Sequence, residues 1–136
     1  KTDEYARVAS LYGHGVVEFG LGKVYLKLGQ GNRCLFQHPS QGRWVCSLQV
    51  MKPLACKLFP FRIQSNPVYK RGDTSAYSYH GKTFYVYLDP ACGGIKVGRP
   101  SPRFLYEVLP EVIQIGMGQR FKQRYTTSKY ISWTPP

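Results

Sequence analysis

The stretch from Gly31 to Phe61 constrains the fold more than any other part of this 136-residue chain. It holds three of the four cysteines, Cys34, Cys46 and Cys56, and contains no Asp or Glu. Two X-Pro steps bracket the third cysteine and restrict the backbone on both sides of it. The fourth, Cys92, comes later and precedes two glycines, which allow close backbone approach. We therefore predict that these four cysteines converge from separate loops on one site.

This stretch resembles a known family in three segments: Cys34-Leu35-Phe36, Gly42-Arg43-Trp44-Val45-Cys46, and Lys52-Pro53-Leu54-Ala55-Cys56-Lys57-Leu58-Phe59-Pro60-Phe61. The segments are similar to those of the YkgJ-like cysteine-cluster family, described as zinc- or iron-chelating domains. The pattern Pro-x-x-Cys-x-x-Phe-Pro-Phe is the specific part of the match, which covers roughly half the chain. Cys92-Gly93-Gly94-Ile95 resembles a later Cys-x-Gly-Ile element of the same family. The resemblance implies a metal centre with cysteine ligands.

One family feature is absent from this sequence. Members usually open with a block of the type Cys-x-x-Cys-x-x-Cys-Cys, just ahead of a segment like the one at 2–9. Here the sequence starts at Lys1 without that block. Either it is a piece or a processed form of a longer protein, in which case its four cysteines are an incomplete ligand set, or this member has lost those ligands.

The cysteine spacing alone does not choose a metal. No Cys-x-x-Cys pair is present, so the spacing by itself is weak evidence for zinc. Four thiolates suit tetrahedral Zn²⁺ and an iron–sulfur cluster of the 4Fe-4S type. Two disulfides, four unrelated buried thiols, or a nucleophilic Cys56 beside Lys57 are the alternatives. We expect an iron–sulfur cluster or Zn.

The charge predicts an anionic partner. The net charge is +12, and neither 19–72 nor 112–136 contains an acidic residue. Such one-signed segments are typical of proteins that contact RNA or an acidic protein complex, and we expect the two segments to meet on one face. Aromatic rings between cations are able to stack on bases. The predicted nucleic-acid contacts are Lys70, Arg71, Arg120, Lys122, Arg124 and Tyr125.

The residue pattern predicts a small α+β domain spanning 1–136, with a basic C-terminal extension over about 117–136. Periodicity and turn residues predict a helix over 2–12, a short hairpin or a bulged strand over 17–28, strands at 33–36 and 43–46, a helical turn at 47–51, a strand that includes 61, 63, 68 and 69, a loop at 70–76, a hairpin over 77–88, a helix from Ser101 interrupted at Pro110, and an extended tail over 130–136.

Several functional classes find no support in the sequence. It contains no run of about 18 apolar residues, so we expect no membrane span. The three histidines have no evident acidic partner, and no phosphate-binding or dinucleotide-binding glycine pattern is present. We therefore assign no catalytic residues.

We predict a cytoplasmic protein in which the metal is structural or redox-sensing and a basic surface meets the partner. The alternatives are a metal-free RNA-binding or ribonucleoprotein-assembly module, and a redox enzyme or maturation factor that uses the cluster for electron transfer.

Overall fold

A computed structural model of the chain describes residues 2–48, 51–92, 95 and 97–126. The chain divides into two compact units, unit 1 over 1–53 and unit 2 over 54–136. Both combine helices with short antiparallel strands, which confirms the predicted α+β class. Among the described residues, no helix is long and apolar enough to cross a bilayer.

The described residues of unit 1 form one α-helix, two short 3₁₀ helices (His14–Val16 and Gln30–Asn32) and two separate hairpins. Helix α1 (Thr2–Tyr12) has acids at Asp3 and Glu4, which favour the positive end of the helix dipole. The first hairpin joins β1 (Val17–Gly20) to β2 (Lys23–Leu26), and the second joins β3 (Gln37–Ser40) to β4 (Arg43–Cys46). The predicted helix over 2–12 and the predicted first hairpin are thus confirmed.

The second hairpin corrects one prediction. The first strand was predicted at 33–36, but β3 lies at Gln37–Ser40, and only Gln41 and Gly42 form the turn. Both turn residues have positive φ, 48° and 74°, as a tight two-residue hairpin requires. Because that turn fixes the register, it pairs Gln37 with Cys46 and leaves Cys34 before the strand. The predicted helical turn at 47–51 includes residues 49 and 50, which lie outside the described part of the chain.

The core of unit 1 is small. It consists of Val8 from α1, Val17 from β1, Phe36 just before β3 and Leu48 just after β4. Five partly buried residues surround this cluster: Tyr5, Val16, Leu26, Cys34 and Cys46. Each element therefore contributes only one or two side chains to the interior.

Unit 2 contains a three-stranded sheet with helices before and after it. Helix α2 (Leu54–Leu58) precedes β5 (Phe61–Gln64), a short helix α3 (Gly72–Ser75) precedes β6 (Ala76–Tyr79), and β7 (Lys82–Leu88) lies between the other two strands. The strand near 61–63 and the hairpin over 77–88 are confirmed. The strand that begins at Phe61 ends at Gln64, so its predicted extension to 68–69 is wrong; Val68 is outside any strand and Tyr69 lies in a turn. The predicted loop at 70–76 contains α3.

The long helical segment after Ser101 also agrees with its prediction. The Ser101 side-chain oxygen accepts a hydrogen bond from the Phe104 amide at 3.2 Å, so this serine caps the first turn. A π-helical segment (Phe104–Val108) then runs into α4 (Leu109–Gly116). Pro110 has no amide proton to donate, and the preceding amide of Leu109 bonds five residues back, to the Phe104 carbonyl.

The helix and the sheet pack through one face of the sheet, which we call the inner face. The Tyr77 hydroxyl donates to the Leu105 carbonyl at 2.6 Å, and the Gln114 amide donates to the Tyr79 hydroxyl at 2.7 Å. Burial raises the pKa of Tyr77, with smaller effects from neighbouring tyrosines. The residues Leu109, Val112, Ile113 and Ile115 of α4 are buried. Strand side chains alternate, so Tyr85 and Tyr87 lie on the opposite, outer face.

Candidate cysteine sites and basic surfaces

In unit 1, Cys34 and Cys46 pack against the same core. Both are half-buried and pack against the Val8, Val17 and Phe36 cluster. The Gln37 amide donates to the Cys34 carbonyl at 2.9 Å, and Gln37 is also the cross-strand partner of Cys46. The turn before β3 and the end of β4 thus hold two thiols on the same core.

A cation and an aromatic ring accompany this pair. The Arg33 guanidinium carbon lies 4.1 Å from the centre of the Trp44 ring, a cation–π contact between the residue before Cys34 and β4. The contact fixes a positive charge at the start of the turn that carries Cys34. Such a charge would offset part of the negative charge of metal-bound thiolates.

Unit 2 carries the other two cysteines. Cys56 lies in α2, and Cys92 lies in the turn that follows β7. The Asp89 amide donates to the Pro60 carbonyl at 2.7 Å, and the Cys92 amide donates to the Asp89 carbonyl at 3.1 Å. This chain of backbone bonds ties the Cys92 turn to the residues just after α2. The two glycines that follow Cys92 lie outside the described residues.

The Asp89 carboxylate organises the same turn. It accepts the Ala91 amide at 3.0 Å and the Arg62 guanidinium at 2.8 Å. These contacts, the Ala91 hydrogen bond first and the Arg62 bond second, lower the pKa of Asp89 below its ordinary value. The ionised carboxylate is therefore the form that holds the Cys92 turn.

The four predicted ligands divide two and two between the units. None of the four, all of which are described, forms a disulfide. Within the described ranges, no group of three or more His, Cys, Asp or Glu side chains is placed to hold a metal ion. Cys34 and Cys46 of unit 1 pack on the same core, but none of the four cysteines lies at metal-binding distance from another. A centre that uses all four cysteines stays a prediction.

The predicted nucleic-acid residues near the C-terminus lie on a segment that is tied down by a buried acid. We call residues 120–126 the basic strap. Glu111 of α4 is 1% exposed, and its carboxylate accepts hydrogen bonds from the backbone amides of Arg124 and Tyr125, the latter at 2.6 Å. Burying a carboxylate is unfavourable unless it is hydrogen-bonded, so these two bonds fix the strap to the helix.

Helix α2 holds the other end of the strap. The Gln123 amide donates to the Lys57 carbonyl at 3.0 Å, and the Lys57 ammonium donates to the Phe121 carbonyl at 3.0 Å. The Arg124 guanidinium carbon lies 5.3 Å from the centre of the Tyr125 ring. Phe121, which lies between Arg120 and Lys122, remains 78% exposed. The strap thus presents an aromatic ring and three cations from a fixed backbone.

The other predicted contacts, Lys70 and Arg71, lie elsewhere. Their turn packs on the outer face of the sheet, where the Tyr87 hydroxyl donates to the Val68 carbonyl at 2.6 Å and accepts the Val68 amide at 2.8 Å. The strap follows α4, which packs on the inner face. The structure therefore separates the predicted nucleic-acid residues into two clusters.

Sequence reasoning missed two of the residues that position these clusters. Glu111 is the lone acid in the apolar run over 108–115, and an acid in such a setting signals a buried carboxylate with dedicated donors. Nothing in the sequence marked Tyr87, because the face of the sheet on which its side chain lies depends on the strand register.

Comparison of the chain with protein-family models, with curated proteins and with solved structures finds no match. The resemblance to the YkgJ-like family therefore rests on the quoted motif residues alone.

Proposed function

We propose that this protein binds a metal through cysteine thiolates, as a zinc ion or an iron–sulfur cluster in a structural or redox-sensing role. Unit 1 would contribute Cys34 and Cys46, and unit 2 would contribute Cys56 and Cys92. The observation that carries the proposal is the state of these residues: four half-buried thiols, none in a disulfide, with the two of unit 1 on one core. A reducing, cytoplasmic location would keep them available.

The donor set is chemically suited to either metal. Four thiolates complete a zinc tetrahedron or ligate a 4Fe-4S cluster, and each needs its thiols deprotonated. The chain supplies cations near the donors, namely Arg33 on the Cys34 turn and Lys57 next to Cys56. Asp89 and its hydrogen bonds would hold the Cys92 turn in place.

Elemental analysis and an optical spectrum of anaerobically purified protein test this proposal. We expect stoichiometric zinc, or iron and sulfide with visible cluster absorption. Two double variants, Cys34→Ser with Cys46→Ser and Cys56→Ser with Cys92→Ser, divide the ligands by unit. Complete loss of metal in both shows that all four cysteines serve one centre, whereas loss of half in each shows two separate sites.

Val45→Ala is the matched control, because it perturbs the strand that carries Cys46 without removing a thiol. It should leave the metal content unchanged. Protein without metal whose cysteines pair as disulfides would contradict the proposal.

A second candidate function is binding of single-stranded RNA by the basic strap. The specific observation is the exposed Phe121 ring between two cations, on a backbone held by Glu111 and Lys57. The ring could stack on a base while Arg120, Lys122 and Arg124 contact phosphates. An acidic protein complex is the competing partner, since it would use the cations but not the stacking.

The salt dependence of binding tests this function. With single-stranded RNA, log affinity should fall linearly with log salt, by about 0.7 for each phosphate neutralised. Charge reversal of all three strap cations should flatten the slope, and Phe121→Ala should weaken binding by about 1–3 kcal/mol. Charge reversal of Lys23 and Lys27 in unit 1 is the control. Binding that tolerates Phe121→Ala but needs the cations would favour an acidic partner.

A further inference from the structure

A second aromatic residue, Tyr69, is displayed on the outer face of the unit 2 sheet. Its side chain is 68% exposed, and Lys70 and Arg71 follow it directly. We call Arg62, Tyr69, Lys70, Arg71 and Tyr87 the Tyr69 platform. These residues combine an accessible ring with cations, and apart from Arg62, which bonds Asp89, the metal proposal uses none of them.

Neighbouring side chains on the outer face of the sheet support the Tyr69 ring. The Tyr87 ring meets the Tyr69 ring edge to face, with centroids 5.5 Å apart and planes at 87°. The Tyr87 hydroxyl also bonds both the amide and the carbonyl of Val68. Arg62, across the strand pair from Tyr87, bonds Asp89 at 2.8 Å. The ring is thus held in place before any ligand arrives.

The backbone at Tyr69 and Lys70 has a strained conformation. Tyr69 and Lys70 have φ of 63° and 54°, in the left-handed region that bulky side chains rarely adopt. Gly72 closes the turn, and a Cβ added there would lie 2.9 Å from the Pro67 Cβ. Two adjacent residues in this conformation persist only where surrounding contacts enforce it, and such strain concentrates at ligand-binding positions.

We infer that the Tyr69 platform binds a nucleotide, either free or within a single strand of RNA, by stacking the base on the exposed Tyr69 ring. The Lys70 and Arg71 side chains then contact its phosphate. Two acids lie nearby, Asp89 paired with Arg62 and Asp73 in α3. Because they offset two of the three cations, stacking rather than net charge supplies most of the binding.

This inference rests on the proposed RNA function only where the nucleotide is part of RNA. The Tyr69 platform and the basic strap share no residue and lie on opposite sides of the sheet. Variants of each therefore test the two sites separately.

The experiment compares Tyr69→Ala with Tyr106→Ala in the folded 136-residue chain. Tyr106 is the matched control, since it is 76% exposed in the π-helical segment and is not part of the platform. The probes are a fluorescein-labelled 12-residue oligo(A) RNA, followed by anisotropy, and AMP with ribose 5-phosphate as the ligand lacking a base, followed by NMR shifts. Tyr69→Ala should weaken oligo(A) binding by about five- to 150-fold, the effect of one stacked base. Tyr106→Ala should leave it unchanged.

A second variant guards against loss of folding. Tyr69→Gly removes the ring but suits the positive φ, so it should lose binding as Tyr69→Ala does without lowering the melting temperature. Tyr69→Phe keeps the ring and should retain binding. If the variants that lose binding are those with a lowered melting temperature, whether or not they keep the ring, the inference is overturned.

The two probes identify the source of the nucleotide. AMP shifts that vanish in Tyr69→Ala, with none for ribose 5-phosphate, support a free nucleotide. Binding of oligo(A) alone, weakened by Tyr69→Ala, supports RNA. Equal effects of Tyr69→Ala and Tyr106→Ala, or no binding of either probe, overturn the inference. If only charge reversal of the strap weakens oligo(A) binding, RNA binding stands and the Tyr69 platform falls.

Discussion

The two units bury their apolar side chains in different ways. Unit 1 buries Val8 and Ala9 of one helix with Val17, Phe36 and Leu48, and its described strands form two separate two-stranded sheets. Unit 2 places Leu109, Val112, Ile113 and Ile115 of one helix against a three-stranded sheet. Isolated two-stranded hairpins are marginal in water, whereas three strands packed on a helix are not. The comparison indicates that unit 1 depends more than unit 2 on an additional constraint.

Metal removal should have the largest effect, and mainly in unit 1. Binding free energies of structural zinc in small domains are on the order of 10 kcal/mol, and the core of unit 1 is small. After chelation under reducing conditions, or in Cys34→Ser, the amides of β1 to β4 should lose protection while those of β5 to β7 keep theirs. Hydrogen exchange with mass spectrometry measures this. Equal loss in both units would remove the proposed difference.

A cavity in α4 should destabilise unit 2 rather than unit 1, which is the opposite of the effect expected from metal removal. Ile113 is fully buried, so Ile113→Ala should lower the free energy of unfolding of unit 2 by about 2–5 kcal/mol. Leu21→Ala, at the fully exposed tip of the first hairpin, should change stability by less than about 0.5 kcal/mol. Urea unfolding followed by hydrogen exchange checks both. A large effect of Leu21→Ala would show that the hairpin tip is covered in solution.

Glu111→Gln should release the basic strap with a smaller loss of stability. The amide has one acceptor oxygen where the carboxylate has two, so the backbone amide of Arg124 or Tyr125 loses its partner, at about 1–3 kcal/mol. Trypsin should then cleave the strap faster. Glu107→Gln is the control, since Glu107 makes an exposed ion pair with Arg103 at 3.4 Å. Unchanged cleavage in Glu111→Gln would mean that Gln123 and Lys57 alone hold the strap.

The smallest expected effect is a pH dependence from Asp89. Its pKa is lowered in the folded state, so its ionised form stabilises unit 2 above the unfolded pKa near 3.8, and this stabilisation is lost as pH falls through the lower folded value. Melting temperatures between pH 2 and 5 should fall less steeply for Asp89→Asn than for wild type. Thr74→Ala, which changes an exposed uncharged residue of the same unit, should keep the wild-type slope. Identical profiles for wild type and Asp89→Asn would contradict this assignment.

Much of the fold follows from local patterns in the sequence. The acids at Asp3 and Glu4, the apolar spacing along α1, and the Ser101 cap predicted their helices because each depends on residues within one or two turns. The strand placed at 33–36 was wrong because Gln41-Gly42 forms a two-residue turn that sets the register of β3. Val68 and Tyr69 were assigned to a strand because both residue types favour strands, whereas contacts of Val68 with Tyr87 decide the conformation there.

For the candidate sites, the sequence supplied the cysteines and the cations but not their grouping. Cys34 and Cys46 pack on one core because of the hairpin register. The first strand of that hairpin was predicted four residues too early.

The sequence by itself determined the α+β class, the four thiols and the acid-free segments, because composition and short-range periodicity carry that information. The tertiary structure decided that Glu111 is buried beneath the strap. It also decided that Lys70 and Arg71 lie on the outer face of a sheet whose inner face carries α4. Those outcomes depend on hydrogen bonds between residues 13 to 35 positions apart and on strand register, where a shift of one residue reverses every side chain.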